Sequence, residues 1–330
     1  MASLQDTSVL VTGAGGFIGG HLVSRLVRDG AKVRALVRYN SRNDRGTLDW
    51  LPDEIVREVD VVLGELRDIE SVTQAAKGAE VIFHLGALIA IPYSYVNPRD
   101  FFEVNVLGSM NVAQAALATG ARRVVHTSTS EVYGTAQSIP ITEEHPLEPQ
   151  SPYAASKLGA DKLMDAWHRS YELPVAILRP FNTYGPHQSA RAVLPTIISQ
   201  ALAGGVVRLG ALDPRRDLTY VEDTVAGFVA AATSEQAVGR TVQLGTNHDV
   251  SIADLVQAVG EVLGRELEVE TDPARVRPAA SEVQRLISSP ALAAEVLGWR
   301  PEVDLHEGLR RTIAWIDGNR NRFRHEQYVI

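Results

Sequence analysis

The chain has 330 residues, a formal charge of 32 − 40 = −8, and apolar and charged fractions of 45% and 22%. One domain per ~150 residues makes this two domains or one large α/β unit with ample chain to bury a core, which excludes disorder as the main state, and the acidity argues against a broad surface for nucleic acid or anionic membrane. The absence of cysteine excludes disulfides, thiolate nucleophiles, Cys-ligated zinc and iron–sulfur clusters.

The opening stretch MASLQDTSVL has neither the basic nor the apolar region of a signal peptide. The longest apolar run, Val81 to Ile91, is interrupted by His84 and stopped by Pro92, too short for the ~20 residues that span a bilayer. A soluble, cytoplasmic protein is expected. Short β-branched runs then alternate with helical stretches, the pattern of βαβ units. Strands are expected at Ser8–Thr12, Lys32–Val37, Val59–Leu63, Val81–Leu85, Arg123–Ser128 and Val175–Leu178. Each is a continuous apolar run, as strands covered on both faces require. Helices are expected at Phe17–Arg28, Ile69–Lys77, Phe101–Thr119 and Pro152–Tyr171. Gly30 and Gly120 stand where helix C-caps belong, and Ser151-Pro152 reads as an N-cap followed by an N1 proline. Beyond Pro180 loops lengthen and strands shorten to Val206–Leu209, Val242–Leu244 and Leu267–Glu270. The polar tail Asn319–Ile330 is expected to fray.

The first strand runs into Gly13-Ala-Gly-Gly16-Phe-Ile-Gly19 and then directly into a helix. Glycines suit a tight turn whose backbone N–H groups approach a pyrophosphate, with the helix N-terminus behind it. That context makes dinucleotide binding the expectation. The fold class expected is α/β: a Rossmann-type doubly wound parallel sheet over residues 1–180, followed by a smaller α/β domain over 181–330, with some segments crossing between them. An acid ending the second strand would favour NAD, and an arginine NADP. The chain has Arg38-Tyr-Asn-Ser-Arg42 and no acid until Asp44, which leans towards NADP while leaving NAD open.

Tyr153 and Lys157, four apart on a helix, share one face. A neighbouring ammonium and a positive nicotinamide ring would lower a phenol pKa that is otherwise about 10, towards that of a useful base. Thr127-Ser-Thr129-Ser130-Glu131-Val-Tyr133-Gly134 follows the fifth strand, at the ligand-binding edge of an open α/β sheet. Simple hydride transfer needs no carboxylate beside the hydroxyl, so Glu131 suggests a second proton transfer, α to a newly formed ketone. The nine histidines show no paired metal-binding spacing, and no metal site is expected.

The GxxGxxG spacing and His84-Leu-Gly-Ala87 resemble the extended branch of the short-chain dehydrogenase/reductase superfamily. With Arg179-Pro-Phe-Asn182-Thr-Tyr184-Gly-Pro186, Arg216-Asp-Leu-Thr-Tyr220-Val-Glu-Asp223, Arg277-Pro278 and Leu297-Gly-Trp299, the chain resembles nucleotide-sugar epimerases and dehydratases over nearly its whole length. TSTSEVYG, NTYGPHQSARAVLPTII and Ala87–Tyr95 most resemble the NAD(P)-dependent 4,6-dehydratases of N-acetylglucosamine nucleotides, a branch that feeds legionaminic-acid and similar pathways. The resemblance implies C4 oxidation, loss of water across C5 and C6, and hydride return to C6, with the cofactor recycled. It implies catalysis by Thr129, Ser130, Glu131, Tyr153 and Lys157. It implies cofactor contacts from Gly13, Gly16, Phe17, Ile18, Gly19, Arg38, Ser41, Glu65, Leu66, Leu85, Gly86, Ala87, Asn105, Thr127 and Pro180, together with Tyr153 and Lys157. The UDP- or GDP-linked substrate would meet Ala90, Asn182, Arg191, Val193, Arg216 and Arg277.

Two positions depart from the family pattern. Many 4,6-dehydratases have Asp-Glu where Ser130-Glu131 stands, which leaves the acid for the departing hydroxyl open. Gly64-Glu65 replaces the more usual Gly-Asp. The alternatives are a 4-epimerase or uronate decarboxylase on the same scaffold, or a non-catalytic NADP-binding sensor. Small residues (Ala113, Ala115, Ala116, Ala155, Ala160) on two helices fit a homodimer interface of the family's kind, or ordinary packing on the sheet.

Overall fold

The computed structural model describes residues 3–323. In chain order the strands are β1 (Ser8–Thr12), β2 (Lys32–Arg38), β3 (Val59–Gly64), β4 (Val81–His84), β5 (Arg123–Thr127), β6 (Val175–Pro180), β7 (Asn182–Tyr184), β8 (Val207–Leu209), β9 (Arg215–Tyr220), β10 (Thr241–Leu244), β11 (Asp249–Ser251), β12 (Val269–Thr271) and β13 (Arg285–Leu286). Seven form one parallel sheet in the order β10-β6-β5-β4-β1-β2-β3. The pleat sends Val9 and Val11 to one face and Leu10 to the other. Helices Phe17–Arg28 and Val221–Thr233 cover the first face, and Ile69–Ala76, Gly108–Thr119 and Pro152–Tyr171 cover the second. This is the expected Rossmann-like α/β architecture. The six expected strands all form. β6 runs two residues further than its apolar pattern because pairing with β10 continues to Pro180.

The caps follow their local chemistry. Ser151 accepts a hydrogen bond from Ala154 N, with proline at the helix start, and Gly120 closes Gly108–Thr119 in the left-handed conformation. The expected single helix Phe101–Thr119 is instead interrupted. Helix Pro98–Phe102 passes through a π-helical turn, Glu103–Leu107, into Gly108–Thr119. Apolar periodicity does not register the extra residue of such a turn. It sets Asn105 inward, where the side chain accepts from Leu88 N (2.8 Å) and donates to Leu88 O (3.0 Å) and Ser156 Oγ (2.9 Å). Ala113, Ala115, Ala116 and Ala160 are wholly buried within the chain, so sheet packing accounts for most of the small-residue pattern.

After β6 the chain builds a smaller sheet, β11-β9-β13 with β7 beside β9, and the pair β12-β8. Helix Val221–Thr233 and β10 return to the large sheet. The expected Leu267–Glu270 strand appears two residues later, as β12, where it pairs with β8. Of the tail, Asn319–Phe323 lies within the described residues and does not fray: Phe323 is buried against Trp315, and Arg322 lies over Trp50. The rest of that segment, 324–330, lies outside them. No helix among the described residues is long and apolar enough to cross a membrane.

One carboxylate ties the smaller sheet together. Asp217, fully buried in β9, accepts from Thr246 N (2.8 Å), Thr246 Oγ1 (2.7 Å), Asn247 N (3.1 Å), Ser288 N (3.0 Å) and Ser288 Oγ (2.6 Å). It thereby fixes two loops beside Arg216. Replacing it by alanine strands buried donors, each costing about 1–3 kcal/mol, so Asp217→Ala is expected to lose at least about 3 kcal/mol in urea unfolding. A loss within the ordinary surface range of about ±0.5 kcal/mol would contradict this account.

Candidate active site

Strand order reverses between β1 and β4: β2 and β3 lie to one side, β4 to β6 to the other. Loops leaving the carboxyl ends of β1 and β4 therefore diverge and open a crevice, the usual ligand position in such sheets. Gly13, at φ +70°, approaches so closely that a Cβ on it would lie 2.7 Å from Gly86 N. Gly86 N itself donates to Thr12 Oγ1 (3.1 Å). A Cβ on Gly19 would collide with Gly13 O, so this glycine lets the helix seat against the loop. That helix starts at Gly16 with no side-chain cap and no acid in its first turn. Its first N–H groups, at Phe17 and Ile18, and its partial positive charge remain available for an anion. The cradle bare of side chains and the uncapped helix start fit a dinucleotide pyrophosphate.

The remaining expected cofactor residues distribute along the same edge. Leu66 packs over Gly86, whose added Cβ would lie 2.6 Å from Leu66 Cδ1. Glu65 N donates to Ser71 Oγ (3.1 Å) and its carboxylate lies 3.4 Å from Arg67. Leu85 and Ala87 are half-buried beside the crevice. Asn105 spends its amide on Leu88 and Ser156, so it shapes the loop after β4. Thr127 and Pro180 end β5 and β6, and Thr127 Oγ1 is buried with no hydrogen-bond partner. Arg38 and Ser41 are exposed at the end of β2, where Tyr39, Asn40, Ser41, Asn43, Asp44, Arg45 and Leu63 line a cavity of about 190 Å³. The acids nearby are engaged: Asp44 accepts from Gly46 N (2.7 Å) and Asp49 pairs with Arg45 (2.6 Å).

Thr129, Ser130 and Glu131 sit on a 3-10 turn directly after β5, and Thr129 Oγ1 caps it by accepting from Glu131 N (3.3 Å). Tyr153 and Lys157 are buried on the facing helix. Burial pushes the Tyr153 phenol upward; a hydrogen bond with Thr129 opposes this, while Glu131 and Asp161 add to it. Burial brings Lys157 down to about 8, against the pull of Asp161. The structure thus brings all five expected catalytic residues to one place.

Beneath them lies a polar network that was not among the expected site residues. Asp161 Oδ2 accepts from Ser128 Oγ and from Arg179 Nη2 (2.9 Å). Arg179 also donates to Tyr133 Oη (2.9 Å), which donates to Gln243 Oε1 (3.1 Å). On the other side, His84 joins Thr12 Oγ1 (2.8 Å) to Ser109 Oγ (2.9 Å). Burial holds both His84 and His126 below the usual histidine range. His84, Ser128, Tyr133 and Arg179 stand in the motifs quoted above without a role of their own, and Asp161, four residues beyond Lys157, is the member the sequence reading passed over.

The expected substrate residues divide. Arg216 and Arg277 converge on Glu282, at 3.1 and 3.6 Å, a partner without any sequence signal. Burial lowers the Arg216 guanidinium, and Glu131 and Glu282 counter it; Glu131 and Arg216 therefore belong to one charge cluster. Arg277 Nη1 and Asn182 Oδ1 are buried without hydrogen-bond partners among the described residues, groups left for a polar ligand. Ala90 precedes helix Ile91–Val96 and Val193 begins helix Val193–Leu202, both half-buried. Arg191 is exposed, and its Nε reaches only Ser189 Oγ at 3.4 Å among the hydrogen bonds of the described residues.

The GDP-mannose 4,6 dehydratase family matches residues 10–312. A UDP-glucose 4-epimerase of Mycolicibacterium smegmatis is 36% identical, over 92% of this chain and 96% of that one. A dTDP-glucose 4,6-dehydratase of Streptomyces antibioticus is 33% identical, over 95% and 93%. Among solved structures, DesIV, a dTDP-glucose 4,6-dehydratase from Streptomyces venezuelae with NAD bound, superposes with a TM-score of 0.86 at 31% identity, covering 96% of this chain and 99% of that chain. By the match of the family over most of its length, and with relatives this similar along nearly the whole chain, the chain belongs to the GDP-mannose 4,6-dehydratase-like extended short-chain dehydrogenases/reductases, the NAD(P)-dependent enzymes that dehydrate or epimerise nucleotide sugars.

Proposed function

We propose that the chain is a 4,6-dehydratase of a UDP- or GDP-linked N-acetylglucosamine. The observation that carries this reading is Glu131, a carboxylate on the same turn as Thr129, facing Tyr153 and the Arg216 cluster. An epimerase or a plain dehydrogenase has no use for a second base beside its tyrosine and lysine.

In this reading Gly13, Gly16, Gly19, Gly86 and the helix start at Phe17 hold the dinucleotide. When bound, it takes up and returns the substrate's hydride and places a positive ring in the site. Burial keeps Tyr153 a phenol in the chain by itself, so its ionisation relies on nearby positive charge, to which Lys157 contributes. Tyr153 then removes the proton of the sugar 4-OH while the Thr129 hydroxyl steadies that oxygen. A ketone at C4 acidifies C5–H, and Glu131 takes that proton as water leaves from C6. Ser130, buried beside it, stands where related dehydratases carry an aspartate. Arg216, Arg277 and Asn182 receive the diphosphate, for which guanidinium forks are suited. Arg191 and Val193 lie toward the nucleoside and Ala90 toward the sugar.

The cofactor in this reading is NADP. Arg38 is free to meet a 2′-phosphate, and the neighbouring acids are already bonded within their own loop. Arg38→Asp is expected to cost tenfold or more in NADP affinity, the scale of one charge-assisted hydrogen bond at about 1.5–3 kcal/mol. Cofactor fluorescence titration checks this, and unchanged NADP binding overturns it.

Incubation with UDP-N-acetylglucosamine and with its GDP counterpart in heavy water is expected to give, from one of them, a 4-keto-6-deoxy product carrying deuterium at C5. Inversion at C4 alone would make the chain an epimerase, and loss of carbon dioxide from a uronate a decarboxylase. Glu131→Gln is expected to slow dehydration by about 10²–10⁴-fold, the usual contribution of a positioned base. Tyr153→Phe should abolish turnover while cofactor stays bound.

A further inference from the structure

We propose that Asp161 is a positioning residue for this reaction: it supplies the fixed counter-charge to the Lys157 ammonium and clamps the helix carrying Tyr153 and Lys157 to the strand ends carrying Ser128 and Arg179. The inference rests on the roles given above to Tyr153 and Lys157.

Tyr153, Lys157 and Asp161 succeed one another at intervals of four on helix Pro152–Tyr171, so they line one face. The Asp161 and Arg179 side chains are each 4% exposed and meet at 2.9 Å. Strands β5 and β6 and the turn after β5 present groups to the carboxylate. From β5 comes His126, whose Nε2 lies 3.3 Å from Oδ1, and from the residue following that strand comes Ser128, which donates to Oδ2. From β6 comes Arg179, whose Nε also holds Ser128 Oγ at 3.2 Å. Tyr133 backs Arg179 with its ring 4.8 Å from the guanidinium carbon. From β4 comes His84, close enough to Lys157 to feel its charge. Ser128 is the residue before Thr129, so the clamp sets the turn that carries Thr129, Ser130 and Glu131 against Tyr153.

The charge count gives the clamp a second consequence. His84 and His126 are held neutral by burial, and Tyr133 and Tyr153 are held as phenols. The ionised groups fully buried here are then Lys157, Arg179 and Asp161, while two half-buried carboxylates act from the rim, Glu143 on Arg179 and Glu131 on Tyr153. A buried ion pair by itself contributes little net stability against apolar residues of the same shape, so Asp161 and Arg179 are not explained by folding alone. Without Asp161 two cations would share one dry pocket. Arginine does not release its proton in proteins, so Lys157 would release its own. The Lys157 ammonium already sits near 8, drawn down by burial and upheld by Asp161.

The test uses the whole chain with its cofactor bound. Only four lysines are present, Lys32, Lys77, Lys157 and Lys162, and of these only Lys157 is buried. In lysine-13Cε-labelled protein the Lys157 signal, assigned with Lys157→Arg, reports its titration without any turnover. Asp161→Asn is expected to lower that midpoint by about one unit, the low end for loss of a nearby opposite charge, and to move the alkaline limb of kcat down with it. Asp161→Glu, which keeps the charge, should restore both towards their original positions. A Lys157 midpoint that does not move in Asp161→Asn overturns the proposal, whatever happens to the amplitude of activity. Should Asp161→Asn fail to fold with Arg179 unpaired, the double variant Asp161→Asn/Arg179→Gln removes both charges. Its Lys157 midpoint is expected to lie below that of Arg179→Gln alone, in which Asp161 still upholds the ammonium, and equal midpoints in those two variants overturn the proposal equally. Absence of turnover on any nucleotide sugar by the unmodified chain would count against the dehydratase reading alone, because the lysine signal needs no substrate.

Discussion

Two backbones meet almost in contact where the sheet reverses direction, and no side chain can be fitted between them. Gly13 at the end of β1 and Gly86 beyond β4 stand so close that a single methyl group on Gly13 would reach van der Waals overlap with its neighbour. This contact fixes the floor of the crevice. The loop above it must turn with a positive φ, the helix behind it must start without a side-chain cap, and Leu66 must fold over Gly86 from the side. Catalytic groups from β5 and from helix Pro152–Tyr171 then face a floor whose position is already set. Chemistry follows from a constraint that is purely steric.

The electrostatics are local in the same sense. A chain of net charge −8 repels a polyanion at long range, yet salt screens such fields beyond about 10 Å. In the proposed reading the cofactor pyrophosphate meets the amide-lined start of a helix, and the substrate diphosphate meets two arginines held by one shared glutamate. Glu282 keeps both guanidiniums turned the same way and offsets part of their mutual repulsion.

Much of this was legible in the residues. Continuous apolar runs marked the six strands β1 to β6 because parallel strands are buried on both faces. Glycine spacing marked the crevice, and Tyr153 with Lys157 marked the facing helix. The π-helical turn at Glu103–Leu107 left no trace because it shifts the helical phase by one residue, less than apolar periodicity resolves. Glu282 escaped because its meaning depends on two arginines, Arg216 and Arg277, brought to it by the tertiary fold. His126 read as an interior strand residue and Arg179 as the start of a motif just past a strand, and only the approach of Asp161 from a helix gives them their shared polar role. Short strands such as β8 and β12 exist through their mutual pairing, so isolated propensity places them poorly.

The seventh strand of the large sheet is supplied by Thr241–Leu244, sixty residues beyond β6. A ribosome therefore releases β6 as an open edge, and that edge stays unpaired until most of the chain has emerged. Unpaired edges invite intermolecular pairing. A fragment ending at Pro180 would carry every glycine of the crevice and yet expose the flank of its own sheet. Residues 1–180 are thus not a portable module: the open edge of their sheet is covered by a strand encoded sixty residues further on.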